Sequence, residues 1–158
     1  HLPLDPSCRT CNCGRTACWE LCVGVNELFR LVVGADDSGG DTGPSIDARL
    51  STIHARAARG DQHTLAALAE IADNLAIGMS VIVDVLNPRL IVLGGYFARF
   101  SEFLLDPVLR TLRTREMAAG SRVELAASQL GLMATARGGA LLALESVFAD
   151  PGLVGPPA

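Results

Sequence analysis

The sequence predicts an α/β domain whose first twenty residues carry a metal-binding loop. Long amphipathic segments alternate with short apolar runs, which is the pattern of helices packed on a sheet. Four of the five cysteines lie between Cys8 and Cys18. With 158 residues and a hydrophobic fraction of 49%, the chain is long enough for one sizeable core.

Charge and hydropathy exclude several classes of function. Charged residues make up 19% of the chain, the formal net charge is −4, and no two basic residues are adjacent, which argues against a nucleic-acid surface. Apolar stretches are interrupted by polar residues before the roughly 20 positions that a bilayer crossing needs, and no secretory signal opens the chain. We expect a cytoplasmic protein without membrane contact. Because the chain begins at His1, we interpret it as a fragment of a longer polypeptide or a processed product.

The first half of the chain reads as a loop and three helices. Prolines, Gly14 and cysteines make residues 1–18 an irregular loop, and apolar spacings of three and four predict a helix over Trp19–Val33. A glycine- and aspartate-rich loop follows over Gly34–Ser45, and a helix capped by Ser45 ends at Gly60. The next helix starts after Asp61 and ends at Asn87-Pro88, and its apolar positions step by three and four: Leu65, Leu68, Ala72, Leu75, Met79, Ile82 and Leu86.

The second half adds two strands. The wholly apolar run Leu90–Leu93 predicts a strand buried on both faces that enters a turn at Gly94-Gly95. A helix over Phe97–Met117, bent at Pro107, a strand over residues 123–127 and a last helix over about 133–148 follow. The expected organisation is one α/β domain over residues 1–152, with the zinc loop at 1–18, helices around a small sheet at 19–152 and a flexible tail at 153–158.

The cysteine cluster predicts a zinc site. Thiolates are soft, charged donors that suit zinc, and closely spaced cysteines reach one tetrahedral ion without strain. Spacing alone allows an all-cysteine site of Cys8, Cys11, Cys13 and Cys18, or His1 with any three of them. All these ligands lie on one short loop, which favours a closed, structural site over a catalytic one.

A family resemblance then becomes specific. The run Cys11–Glu20, CNCGRTACWE, resembles the CxCGxxGCxE signature of the ROK family (repressors, open reading frames and sugar kinases), in which a histidine lies ten residues ahead of the first signature cysteine. The resemblance implies the ligand set His1, Cys11, Cys13 and Cys18, with Cys8 an extra thiol. Ala17 departs from the family's usual glycine, which puts the loop conformation in question.

Two further segments extend the likeness over nearly the whole chain. Asn87–Gly95, NPRLIVLGG, is similar to the family's NPxxIVLGG segment, and Arg137–Ala140 lies where its closing helix carries a Gly-Ala pair. The resemblance implies the carboxyl-terminal part of an actin-like ATPase (ribonuclease H-like) fold with a zinc-binding loop. It also implies that Glu20 and His1 face a bound sugar, and that Gly94 and Gly95 border the nucleotide if ATP is used.

The resemblance leaves two functions. The kinases' catalytic aspartate and phosphate loop belong to the amino-terminal half of the family and are absent from this chain, so we predict no catalytic residues and no enzyme activity for the chain by itself. The closing segment ARGGALLALESVFADPG resembles the family's regulators more than its kinases. We therefore expect the effector and dimerisation half of a sugar-responsive repressor that is a homodimer and contacts DNA only through a helix-turn-helix outside this chain. The alternative is half of an ATP-dependent kinase of glucose or an N-acetylhexosamine.

Overall fold

The computed structural model describes residues 1–4, 9–34, 44–115, 123–150 and 152. Its helices and strands follow one another in the order that the sequence predicts. They are α1 (Glu20–Val23), α2 (Val25–Val33), α3 (Ile46–Ala58), α4 (Gln62–Leu86), β1 (Leu90–Leu93), α5 (Gly95–Arg99), α6 (Ser101–Arg115), β2 (Glu124–Ala127), a 3-10 turn (Gly131–Met133) and α7 (Ala134–Ala149).

The strands β1 and β2 pair in parallel, with Leu90 opposite Glu124 and Leu93 opposite Ala127. Parallel strands need a crossover connection, and α5 and α6 supply it. The core lies where α4 packs against α6, around fully buried side chains that include Leu68, Leu104 and Leu112. The α/β class predicted from the sequence is confirmed.

The long helix α4 begins and ends where its capping residues predict. The Asp61 carboxylate accepts from the Thr64 amide at 2.8 Å, and Asn87 closes the helix in the left-handed conformation, with a φ of 46°. The predicted apolar face is wrong at its end, because Leu86 is 70% exposed. A repeat of 3.5 residues drifts by about 20° per heptad on a helix of 3.6 residues per turn, so burial passes to other positions such as Val83.

Two predicted helices are each divided in the structure. The helix predicted over Trp19–Val33 breaks at Gly24, whose ψ is 158°; a Cβ there would lie 2.7 Å from the Glu20 carbonyl oxygen, so the turn requires glycine. The helix predicted over Phe97–Met117 is interrupted at Phe100, whose ring is fully buried. Pro107 lies inside α6 and does not mark the break.

Both β1 and α7 expose apolar side chains. Leu90 and Val92 are 50% and 55% exposed, so the prediction of a strand buried on both faces is wrong: within the described residues the sheet has two strands, and nothing covers this face. None of the α7 residues is buried. By length and composition, two helical segments could cross a membrane: Gln62–Leu86 and Gly131–Ala149. This differs from the expectation that polar residues interrupt every apolar stretch before it reaches that length. The core helix of a soluble protein passes the same test, and half of the apolar window in α4 is buried.

Several sequence predictions fall outside the described residues. These are the role of Cys8, the loop at residues 35–43, the end of the predicted helix at Met117 and the tail at 153–158. The division of the chain into one domain with a zinc loop and a tail stays a prediction.

Candidate metal centre and ligand cleft

A short antiparallel arrangement brings the amino terminus against the cysteine loop. The Leu4 amide donates to the Ala17 carbonyl at 2.9 Å, and the Trp19 amide donates to the Leu2 carbonyl at 2.8 Å. Within the loop, the Cys11 amide donates to the Arg15 carbonyl at 2.7 Å. His1 is therefore held beside cysteines that lie ten or more residues away along the chain.

The four predicted ligands converge on one point. The donor atoms of His1, Cys11, Cys13 and Cys18 all lie within 4.8 Å of one another. The Cys11 sulfur lies 3.5 Å from His1 Nδ1, and the Cys13 and Cys18 sulfurs are 3.6 Å apart. A tetrahedral zinc ion with ordinary bond lengths separates sulfur from nitrogen by about 3.5 Å and two sulfurs by about 3.8 Å. The cluster thus has the size and donor chemistry of a metal site.

The thiols differ in their electrostatic setting. Cys11 and Cys18 are buried, whereas Cys13 is exposed. A hydrogen bond with the Arg15 backbone lowers the pKa of the Cys13 thiol. Burial, together with the two neighbouring thiols, raises the pKa of Cys18 to about 11. Three thiolates this close repel one another unless a cation neutralises them, so the donor set fits a divalent ion.

Ala17 explains why its position favours glycine. Its φ is 67°, in the left-handed region that a Cβ disfavours. The two hydrogen bonds between residues 2–4 and 17–19 hold this conformation in place. The departure from the signature therefore leaves the ligand geometry intact and introduces local strain.

Trp19 anchors the metal loop to the core. Its indole N–H donates to the Asn74 carbonyl of α4 at 2.8 Å. The ring lies directly on Gly78, where an added Cβ would fall 2.0 Å from a ring carbon. The loop is thereby fixed to the longest helix through one side chain.

Glu20 stands at the start of α1 with its carboxylate oxygen 3.8 Å from His1 Nδ1. Both side chains are more than half exposed, and both line an open cleft together with Arg9, Asn12 and Asn26. The structure therefore brings together the two residues that the family resemblance assigned to a sugar. A carboxylate accepts hydrogen bonds from hydroxyl groups, and a metal-bound imidazole is held in one tautomer.

An ion-pair cluster, of which Arg9 and Glu27 line the same cleft, was missed in the sequence. Glu27 is only 7% exposed, and its carboxylate accepts from Arg30 of the same helix at 2.6 and 2.9 Å. Arg9, from the metal loop, contacts the same carboxylate. The spacing of Glu27 and Arg30 is a recognisable helical pair, but nothing in the sequence connects Arg9 to them.

The glycine turn lies at a second cavity. Gly95 has a φ of 59°, and a Cβ at Gly94 or Gly95 would meet no atom within 4 Å. Gly95 lines this cavity with Arg99, Ser128 and Arg137. Since β1 and β2 are parallel and this turn follows β1, the cavity lies at the carboxyl ends of the strands, where ligands bind in open α/β sheets.

The chain is similar to both repressors and kinases. It is 25% identical over 146 residues to the xylose repressor of Bacillus spizizenii, covering 92% of this chain and 36% of that protein. It is 23% identical over 114 residues to the glucokinase of Thermotoga maritima, covering 68% of this chain and 36% of that protein. The chain thus spans little more than a third of the length of these relatives, and the expected preference for the regulators is not supported, because both classes match at similar identity.

The fold has a close counterpart among solved structures. The ROK family glucokinase of Streptomyces griseus, crystallised with glucose and AMPPNP, superposes with a TM-score of 0.74 at 24% identity, over 90% of this chain and 49% of that chain. This confirms the predicted actin-like architecture. The ROK family matches residues 1–146. With its metal-site residues in place and this match over most of its length, the chain belongs to the ROK family.

Proposed function

We propose that the chain is the sugar-sensing half of a ROK-family transcriptional repressor, with a structural zinc ion and a sugar site at Glu20 and His1. The observation that carries the proposed sugar site is the position of the Glu20 carboxylate, 3.8 Å from an imidazole that belongs to the metal cluster. Sugar hydroxyls are both donors and acceptors. A carboxylate beside a fixed imidazole matches both roles.

His1, Cys11, Cys13 and Cys18 are the residues that would hold the zinc ion. When bound, the ion supplies a fixed charge and a rigid tetrahedral centre. The residues themselves do the binding: Glu20 accepts hydrogen bonds from sugar hydroxyls, and His1 presents its ring in one orientation. Asn26, at the amino end of α2, lines the same cleft and adds a neutral amide that both donates and accepts.

As a regulator, the protein works by a population shift. A sugar that binds one domain arrangement better than another shifts the balance between them. In a homodimer, this changes the spacing of two DNA-binding heads, which lie outside this chain. The proposal includes a cytoplasmic location.

The second candidate is a sugar kinase, and the cavity at Gly95 favours it. Arg137 and Ser128 line that cavity beside Arg99, whose guanidinium is paired with Asp47 of the same lining, so the cavity offers the Arg137 cation and the Ser128 hydroxyl to a nucleotide. Under this alternative, Gly94 and Gly95 border ATP, and glucose or an N-acetylhexosamine is the acceptor.

A thermal-shift assay tests the sugar site. The protein is heated with and without xylose, glucose and N-acetylglucosamine, and the melting temperatures of wild type, Glu20→Ala and the control Glu102→Ala are compared. Glu102 is an equally exposed acid in α6, paired with His54. We expect one sugar to stabilise the wild type and the control but not Glu20→Ala. A shift that survives in Glu20→Ala would refute the assigned role.

Two assays on the complete protein distinguish the repressor function from the kinase function. Operator release by the stabilising sugar, without ATP turnover, supports the repressor. Sugar-dependent ADP formation that is lost on changing Gly95 to a bulky residue supports the kinase function and refutes the repressor function.

A further inference from the structure

The cluster of Arg9, Glu27 and Arg30 joins the metal loop to α2. Among the described residues, no other charged contact links these two parts of the chain. Glu27 lies in the first turn of α2, and Arg30 follows one turn later. Arg9 lies two residues before Cys11, the first cysteine of the predicted ligand set. Both oxygens of the Glu27 carboxylate are engaged: one accepts from Arg30, and the other accepts from Arg30 and Arg9.

Arg9 also holds α1. Its Nη2 donates to the Leu21 carbonyl at 3.0 Å, one residue after Glu20. A single guanidinium therefore bridges the base of the metal loop, the helix that begins with Glu20, and the buried acid of α2. Its planar fork is suited to such a bridge, since several donors point in fixed directions.

Burial shows which partner is the fixed one. Glu27 is 7% exposed, whereas the side chains of Arg9 and Arg30 are 56% and 40% exposed. A buried carboxylate needs compensation, and Arg30 supplies it within the same helix. The negative charge is close enough to Tyr96 to raise the pKa of that phenol, after burial itself. Glu27 is thus a rigid anion to which the more exposed Arg9 is tethered.

We propose that Glu27 and Arg9 are positioning residues that couple metal binding in the loop to ligand binding at Glu20. This inference rests on the proposed sugar site for its second half. Metal binding orders the loop that begins beside Arg9. Arg9, held by Glu27, then fixes the Leu21 carbonyl and with it the direction of the Glu20 side chain over the cleft. Because coupling is reciprocal, a ligand at Glu20 tightens metal binding by the same factor.

The first test measures zinc affinity by competition with a chromogenic chelator, at a temperature far below the melting point of every variant. Residues that support metal ligands from outside the coordination sphere change affinity by about 10- to 100-fold when mutated. We expect Arg9→Met and Glu27→Gln each to weaken zinc binding at least about tenfold. The double variant should weaken zinc binding by less than the product of the two single effects, because both changes break the contact between Arg9 and Glu27.

Two controls separate positioning from general stability. Glu102→Gln makes the same chemical change in α6, where Glu102 contacts His54, and should leave zinc affinity unchanged. Arg9→Lys keeps the charge but not the fork, and it should fall between Arg9→Met and wild type. If Glu27→Gln does not fold, Arg9→Met decides the question, because that side chain is largely exposed. Zinc affinity equal to wild type in Arg9→Met overturns the proposal.

The second test measures zinc affinity with and without the stabilising sugar. We expect the sugar to tighten zinc binding in wild type about fivefold or more and to have little effect in Arg9→Met. If a sugar binds the wild type but leaves its zinc affinity unchanged, the coupling is wrong while the sugar site stands. If no sugar binds the wild type, the proposed function fails, and the chelator competition still decides whether Glu27 and Arg9 support the metal loop.

Discussion

The metal loop and the α4–α6 core are ordered by different forces. In the core, Leu68, Phe100 and Leu104 are at most 1% exposed, and burial of apolar area drives their packing. The loop over residues 9–18 has buried cysteines but little aliphatic surface. It is held by backbone hydrogen bonds and by four converging donors. The difference predicts that the core keeps its structure when the metal is removed, whereas the loop needs an ion to hold its shape.

The largest expected effect breaks the core alone. Phe100→Ala removes a fully buried ring that lies edge-on to Tyr96 and tilted against His54, and it should lower the free energy of unfolding by about 3–5 kcal/mol. Urea unfolding followed by far-UV circular dichroism measures this. Phe100→Leu, which keeps most of the volume, should lose less, and equal losses in the two variants would contradict the packing argument.

A smaller effect is expected where the two regions meet. Gly78→Ala forces a Cβ into the Trp19 ring and should cost about 1–3 kcal/mol through overpacking, with a shift in the emission of the single tryptophan. Gly138→Ala is the matched control, since its Cβ meets nothing within 4 Å. The control should be neutral or stabilising by up to about 1 kcal/mol. Unchanged tryptophan emission in Gly78→Ala would show that Trp19 does not anchor the loop.

Within the loop, relief of strain should stabilise. Ala17→Gly removes the Cβ from a residue with a φ of 67°, and we expect a gain of about 1 kcal/mol in the zinc-loaded protein. Chemical unfolding of the loaded protein measures it. The same change at Ala48, an exposed position in α3, should instead destabilise by about 1 kcal/mol. A loss at both positions would place Ala17 outside the left-handed region.

The smallest effect on the core is expected from metal removal. A chelator should abolish the amide protection of Cys11, Gly14 and Trp19, whose hydrogen bonds depend on the loop. Amides in the middle of α4 should keep their protection, because that helix is held by α6. Hydrogen exchange followed by mass spectrometry resolves the two regions. Parallel loss of protection in both would show that the core also needs the ion.

Local sequence patterns predicted the helix ends and the strands, because these features depend on the chemistry of neighbouring residues. Ser45 and Asp61 accept hydrogen bonds from the amides three residues on, which is a preference of short polar side chains and needs no tertiary context. The same holds for the left-handed Asn87 at the end of α4. The apolar run at Leu90–Leu93 likewise predicts a strand from neighbouring residues alone. The predicted burial of both its faces is wrong, because burial depends on what else packs against the strand.

The ligand set shows what cysteine spacing does not determine. Cysteine spacing predicted a zinc site, and a family resemblance chose His1, Cys11, Cys13 and Cys18; in the structure these four donors converge. Cys8 lies outside the described residues, so the all-cysteine alternative is untested.

By itself, the sequence determined the order of the helices and strands, the capping residues and the loop with metal-ligating cysteines. Each of these features depends on residues a few positions apart. Only the tertiary structure decided the breaks at Gly24 and Phe100, the seat of Trp19 on Gly78 and the contact between Arg9 and Glu27. Those features join residues that are distant along the chain or depend on the space a neighbour leaves. Steric fit and ion pairing act through space, and a one-dimensional pattern does not record them.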